Sequence, residues 1–187
     1  MSGVRVVISG THASGKSTLI SDFASAHSEY AVLGDPFDEL LDESDEPGPA
    51  SFAAQFRVSV SRLRRASEAR LIAERGPLDF VAYLLAWREL GRGGVSSETI
   101  VSAVRLAADV MKTVDLLILL PSAGIEVPDD EDPELRGAMQ DHLFELCDDP
   151  DLVGSARVEE LVGDPAGRLG RLEALMELWP FYKSDAA

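Results

Sequence analysis

The chain has a single cysteine, Cys147, so no intramolecular disulfide and no multi-cysteine metal cluster can form, and a reducing cytoplasm is the expected setting. Long hydrophobic runs are missing as well. A run such as Leu116 to Leu120 falls far short of a bilayer span, and Met1 to Gly10 lacks the basic region and extended apolar stretch of a secretion signal. A soluble protein with no membrane partner is therefore expected. Basic residues are scarce: 17 Lys and Arg against 33 Asp and Glu give a formal charge of −16. That charge repels a phosphate backbone at long range, which disfavours nucleic acid as a partner. Internal repeats and low-complexity tracts are absent too.

What is present begins with acid. Seven carboxylates fall between Asp35 and Glu46 without one base, and six fall between Glu126 and Glu134. Most of them read as solvated loop charge. At 187 residues and 45% apolar content, the chain is long enough for one well-buried domain, residues 1–187, and too short for two.

Hydrophobic patterning divides the chain into alternating elements. Val4 to Ser9 is a β-branched run of strand length, and a helix follows from Gly15 onward. Ala31 to Leu33, Leu71 to Ala73 with Glu74 at its end, Asp115 to Leu120 and Arg157 to Val162 read as further strands. Helices are predicted over Ser51 to Ala69 behind the Asp45-Glu-Pro-Gly-Pro49 loop, Leu78 to Leu90 behind Pro77, Ser96 to Thr113, Glu134 to Cys147, and Pro165 to Leu178. Strands alternating with helices imply an α/β domain: a mainly parallel five-stranded sheet with helices on both faces.

The chemistry concentrates at Gly10-Thr11-His12-Ala13-Ser14-Gly15-Lys16-Ser17-Thr18, which fits the Walker A spacing of glycine, four residues, then Gly-Lys-Ser, between a strand and a helix. The loop must curl backbone N–H groups around oxygens, which calls for glycine's conformational range at Gly10 and Gly15. Lys16 is expected to reach the β- and γ-phosphates, Ser17 to offer its hydroxyl to Mg2+, and the helix N-terminus to add positive potential. His12 lies within the loop, whose interior presents backbone to phosphate, so a general-base role is not assigned to it. The expected cofactors are ATP, with GTP as the alternative, and Mg2+.

Other P-loop classes leave marks that are missing. A motor or AAA-type ATPase usually shows an apolar strand ending in Asp-Glu, yet Leu116 to Leu120 runs into Pro121; a GTPase needs an Asn-Lys-x-Asp reader, and there is none. Instead Leu71-Ile-Ala-Glu74-Arg75 ends a strand with an acid and an arginine, which points to a metal-directed carboxylate and a phosphate-directed guanidinium beside the loop. Asp35 follows the second strand, so it and Glu74 should rise together at the carboxyl edge where open α/β sheets bind ligands.

With Gly10 to Leu19 and Glu74-Arg75-Gly-Pro-Leu-Asp79, the chain resembles the P-loop nucleoside and nucleotide kinase superfamily. The resemblance runs to the bacterial group containing the ribosylnicotinamide-kinase domain and to deoxynucleoside kinases. It implies the three-layer P-loop NTPase fold and an ATP-dependent phosphotransferase acting on a small, nucleoside-like acceptor, the alternatives being a non-nucleoside metabolite or antibiotic as acceptor, or an NTP-hydrolysing regulator. It further implies that Asp35, followed by Pro36, takes the proton of the attacking hydroxyl. Gln55 and Arg62 resemble that group's base-reading glutamine and its arginine, while Gly76 stands where deoxynucleoside kinases have serine. Asp79 reads either as a substrate contact or as a helix-start cap. A short lid is implied at about 123–149, with Arg136 either closing on the phosphates or pairing on the helix surface with Asp132 or Gln140. Arg168 ends a Gly163-Asp-Pro-Ala-Gly loop similar to the adenine-packing loop. Phe80, Tyr83 and Trp87 recur at helical spacing and read as core in preference to a base-stacking stripe. The oligomeric state stays open, a homodimer included.

Overall fold

The computed structural model describes residues 3–40, 47–122 and 131–185. Five strands, β1 (Arg5–Ser9), β2 (Ala31–Leu33), β3 (Leu71–Glu74), β4 (Leu116–Leu119) and β5 (Arg157–Glu160), form one sheet in the order β2-β3-β1-β4-β5. Every pairing is parallel, with Val7 opposite Ala73 on one side and Leu117 on the other. The chain leaves β1 toward β2 and later crosses to β4, so the strand order reverses at β1. Ligands bind at such a switch point, at the carboxyl ends of the strands.

Strand alternation makes the two layers that cover the sheet. Val6 and Ile8 of β1, Ile72 of β3, and Leu116 and Ile118 of β4 face α1 (Lys16–Ala26) and α7 (Pro165–Asp185), packing with Leu19, Ile20, Phe23, Leu172 and Trp179. Val7, Leu71, Ala73, Leu117 and Leu119 face the other way. There they meet α2 (Pro49–Arg65), α3 (Pro77–Glu89), α4 (Ser97–Met111), α5 (Pro133–Cys147) and α6 (Pro150–Val153). Strands apolar on both faces are what a buried parallel sheet requires. The three-layer α/β architecture predicted from the patterning is the one observed.

Element ends differ from the prediction for local reasons. Helix α2 starts at Pro49 rather than Ser51, because proline at the first helical position loses no hydrogen bond. It stops at Arg65 rather than Ala69: the Arg5 guanidinium donates to the carbonyls of Leu63 (2.6 Å) and Ala66 (3.0 Å), satisfying the helix's last acceptors. Helix α7 runs on to Asp185, past the predicted Leu178. A 3₁₀ turn at Pro36–Glu39 and the short α6 were not predicted. Of the expected lid, residues 133–147 fold as α5, with Leu135, Met139, Leu143 and Cys147 buried in the core; 123–130 lie outside the described residues. So do the acids at 42–46 and 126–130. No helix among the described residues is long and apolar enough to cross a membrane.

Candidate functional site

The loop from Gly10 to Gly15 joins β1 to α1 and is shaped by backbone demands. Gly10 has φ 150°, and a Cβ there would lie 2.7 Å from the Leu120 carbonyl oxygen; Gly15, the N-cap of α1, has φ 90°. Both values lie in the region that glycine alone enters cheaply. Ala13 takes φ 54° without that advantage.

Asp79, completely buried in the first turn of α3, fastens this loop to its neighbour. Its Oδ1 accepts from the Gly10 N–H (3.0 Å), and its Oδ2 from the Ser9 hydroxyl (2.6 Å) and the Gly76 N–H (2.9 Å). This bears on the two sequence readings of Asp79: it caps α3 and clamps the loop from behind, with no surface toward the open side. Burial pushes its carboxyl upward in pKa, against Arg75, Ser9, Gly10 and Lys16, which pull it down. Ser9, not singled out from the sequence, is part of the same clamp.

Lys16 is 3% exposed, and its Nζ donates to the Thr11 carbonyl at 2.6 Å. Burial, aided by Arg75, brings its pKa down to about 7, while Asp79, Glu74 and Asp35 act in the opposite direction. Ser17 at the start of α1 donates its hydroxyl to Glu74 Oε1 at 2.9 Å. Burial lifts the Glu74 carboxyl above its ordinary value, opposed by the Ser17 hydrogen bond and Lys16.

Glu74 ends β3, and Arg75 follows in a left-handed conformation with φ 59°. The strained residue is held at both ends: its N–H donates to the Ile8 carbonyl (3.0 Å), and its own carbonyl accepts from the Ser59 hydroxyl (3.3 Å). The conformation turns the guanidinium back over the sheet edge. Nε donates to Asp35 Oδ2 at 2.9 Å, Nη1 to the Gly10 carbonyl at 3.4 Å, and the group lies 5.7 Å from the centre of the Tyr83 ring. Burial alone would lower the Arg75 pKa, but Tyr83, Asp35 and Asp79 outweigh it and keep the side chain cationic. For Asp35 burial acts upward, and Arg75 with the Phe37 N–H prevails, holding the carboxylate below its usual range. A Cβ at Gly76 would lie 2.9 Å from Val7 Cγ1, so a serine there would force a shift in β1.

One pocket of about 310 Å³ gathers most of the predicted site. His12, Ala13, Gly15, Lys16, Ser17, Thr18, Asp35, Glu74 and Arg75 line it. Thr11 and Ser14 are buried beneath, their hydroxyls without a hydrogen-bond partner. Arg168 of α7 supports the loop from outside: its Nη1 donates to the Ser14 carbonyl at 2.7 Å.

The acceptor-side candidates separate. Gln55 is buried and donates to the Ser51 hydroxyl at 3.0 Å, one turn before Ser59. Arg62 turns away from the pocket to the Gly34 carbonyl (2.9 Å) and Glu39 (2.9 Å), lining a separate hollow of about 670 Å³. Arg136 is 4% exposed and paired with Glu131, with a buried Nη2 that has no hydrogen-bond partner. Neither predicted surface pair forms, since Asp132 pairs with Arg92 and Gln140 accepts from Ser122. Phe80 and Tyr83 lie in the core, Tyr83 stacked on Phe52 with ring centres 4.7 Å apart.

The donor chemistry fits a magnesium-bound triphosphate. Mg2+ prefers oxygen ligands and usually keeps one or two protein groups alongside phosphate and water. A hydroxyl and a carboxylate in contact at Ser17 and Glu74 supply that set. Among the described residues no group of three or more His, Cys, Asp or Glu could hold a metal ion.

A parallel sheet with a glycine loop at its switch point, a buried lysine and a serine–carboxylate pair defines a P-loop protein. The chain belongs to the AAA domain family, whose model matches residues 5–152. The acid that meets Ser17 stands at the end of β3, not after β4. No curated protein sequence matches the chain. Among solved structures, thymidylate kinase from Candida albicans aligns with TM-score 0.63 and 17% identity over 94% of this chain and 91% of that one. Deoxyadenosine kinase from M. mycoides, with products dCMP and dCDP, gives TM-score 0.67 and 12% identity over 93% and 99%. NadR protein in complex with NAD and AMP-PNP gives TM-score 0.62 and 15% identity over 94% of this chain and 49% of that one. At these identities the likeness establishes the fold.

Proposed function

We propose that the protein is an ATP- and Mg2+-dependent kinase that transfers the γ-phosphoryl group to a hydroxyl of a small molecule, a nucleoside or nucleotide. The observation that carries the reading is Asp35. A phosphate cradle alone would serve any nucleotide hydrolase, but here a second carboxylate, separate from the one on Ser17, lines the same pocket and is oriented by Arg75. The fold shared with nucleoside and nucleotide kinases supports the same class.

Phosphoryl transfer asks a protein mainly to position groups and neutralise charge. Loop N–H groups from Gly10 to Thr18 and the Lys16 ammonium would receive the triphosphate oxygens. Ser17 and Glu74 would hold Mg2+, which would supply positive charge to offset that of the phosphate oxygens. Asp35, kept acidic by Arg75, is a weak base; it would orient the attacking hydroxyl by accepting its hydrogen bond and take the proton as that oxygen becomes acidic during transfer. Arg75 would stabilise charge developing between the reacting oxygens, Arg136 would add charge from α5, and Arg168 would keep the loop in shape beneath the nucleotide. Asp79 would act as a positioning residue. Gln55 would read the acceptor by donor and acceptor atoms of one amide.

Mass spectrometry after incubation with ATP, Mg2+ and a panel of nucleosides and nucleotides tests the reading. The expected result is a product 80 Da heavier, an increment fixed by the added PO3H group. Phosphate released only to water would replace the kinase by an NTP-hydrolysing regulator.

A further inference from the structure

We infer that the acceptor is an uncharged nucleoside and not a nucleoside monophosphate. The inference rests on the kinase reading above and comes from the charge pairing around the pocket. A phosphate already on the acceptor is close to a dianion at neutral pH and needs cations free to receive it, commonly guanidinium groups in bidentate contact.

Here the arginines on that side each arrive with a carboxylate of their own. Arg75, 6% exposed, is tied to Asp35. Arg62 is tied to Glu39 and, through Nη1, to the Gly34 carbonyl beside Asp35. Arg136 is tied to Glu131; its free Nη2 leaves a donor, but the carboxylate already cancels the charge. Arg57 and Arg65 are exposed and line the separate hollow together with Glu39 and Glu68. Lys16 and Arg168, whose bonds go to the Thr11 and Ser14 carbonyls, belong to the donor loop.

The stretches 41–46 and 123–130 contain neither lysine nor arginine. A second phosphate would thus be placed against Asp35 and Glu74 with no unpaired arginine or lysine among the described residues lining the pocket to meet it. A neutral hydroxyl has the opposite requirement: it needs an acceptor carboxylate held ionised, which the Asp35–Arg75 pair provides.

Matched pairs, each nucleoside against its own 5′-monophosphate, are to be compared with the full chain, ATP and Mg2+. The expected result is kcat/KM at least about a hundredfold higher for the nucleoside. A monophosphate used as well as or better than its nucleoside overturns the inference and leaves the kinase reading standing. No transfer to either, with ATP consumed, removes the kinase reading and the inference with it.

Discussion

The two sides of the pocket, donor and acceptor in the proposed reading, are built differently. The phosphate cradle is one continuous stretch, Ser9 to Thr18, carried by a strand and a helix N-terminus. The acceptor side is assembled from Asp35 after β2, Ser59 of α2 and the Arg75 turn after β3. A local loop keeps its shape mainly through its own backbone angles. An assembled surface depends on each element's tertiary placement, so removing one member moves the others. The two halves meet at Arg75 and Asp79, which touch Gly10 from the guanidinium and the carboxylate respectively.

The largest expected effect lies on the donor side. Lys16→Met removes the buried ammonium aimed at transferred charge and should lower turnover on the order of a hundredfold or more, with nucleotide binding less affected. Parent-like steady-state turnover would remove Lys16 from the mechanism. Glu74→Gln should cost a comparable factor, yet respond to metal: if the carboxylate serves Mg2+, raising Mg2+ recovers part of the rate in Glu74→Gln and none in Asp35→Asn. Superimposable Mg2+ titrations for parent and Glu74→Gln would remove the metal role from Glu74 and erase the contrast.

The junction between the halves can be weighed by stability. Asp79→Ala leaves two buried backbone N–H groups without acceptors and should cost on the order of 3 kcal/mol, seen as a fall in Tm of roughly 10 °C by calorimetry. A change under about 2 °C would mean that the loop does not depend on the clamp.

Per pH unit, a smaller effect is expected from Lys16. Lys16 holds its proton less tightly folded, near 7, than unfolded, where it has the ordinary value of 10.5. Between those values the unfolded chain binds more protons, so the Lys16 contribution raises stability as pH rises from about 7 toward 10.5. Below about 7 its cost is constant. Denaturant melts of the parent should gain on Lys16→Met by up to about 1.4 kcal/mol per pH unit in that window. Parallel pH profiles would indicate that the ammonium is not desolvated.

Smallest is the effect on the acceptor side, where Gln55→Leu should raise the acceptor KM several-fold and leave the ATP KM nearly unchanged. Arg62→Ala, already committed to Glu39, should change the acceptor KM by less. The reverse order would return Arg62 to the pocket.

The strand patterning and the Walker A spacing were legible because they depend on neighbours in sequence. Val6, Val7 and Ile8 alternate between two helical layers, as two-sided burial requires. Gly10 and Gly15 stand where the backbone needs positive φ. Asp35 and Glu74 could be placed at one sheet edge, since each ends a parallel strand.

Partner choice was another matter. Gln55 and Arg62 are seven residues apart on one helix, which suggested a shared task, but Glu39 and the Gly34 carbonyl lie across the gap to β2 and capture Arg62 first. Arg136 had Asp132 and Gln140 within reach on its own helix, yet Glu131 and Arg92 redistribute those pairs. Ser9 and Ser59 carry no signal in the chain, because a serine hydroxyl has a role only once a carboxylate or carbonyl is brought to it. By itself the sequence determined the backbone that cradles phosphate, since φ preferences and hydrophobic period are short-range properties. Only the tertiary structure decided which carboxylate each arginine holds, since ion pairing depends on distances set by how the elements pack.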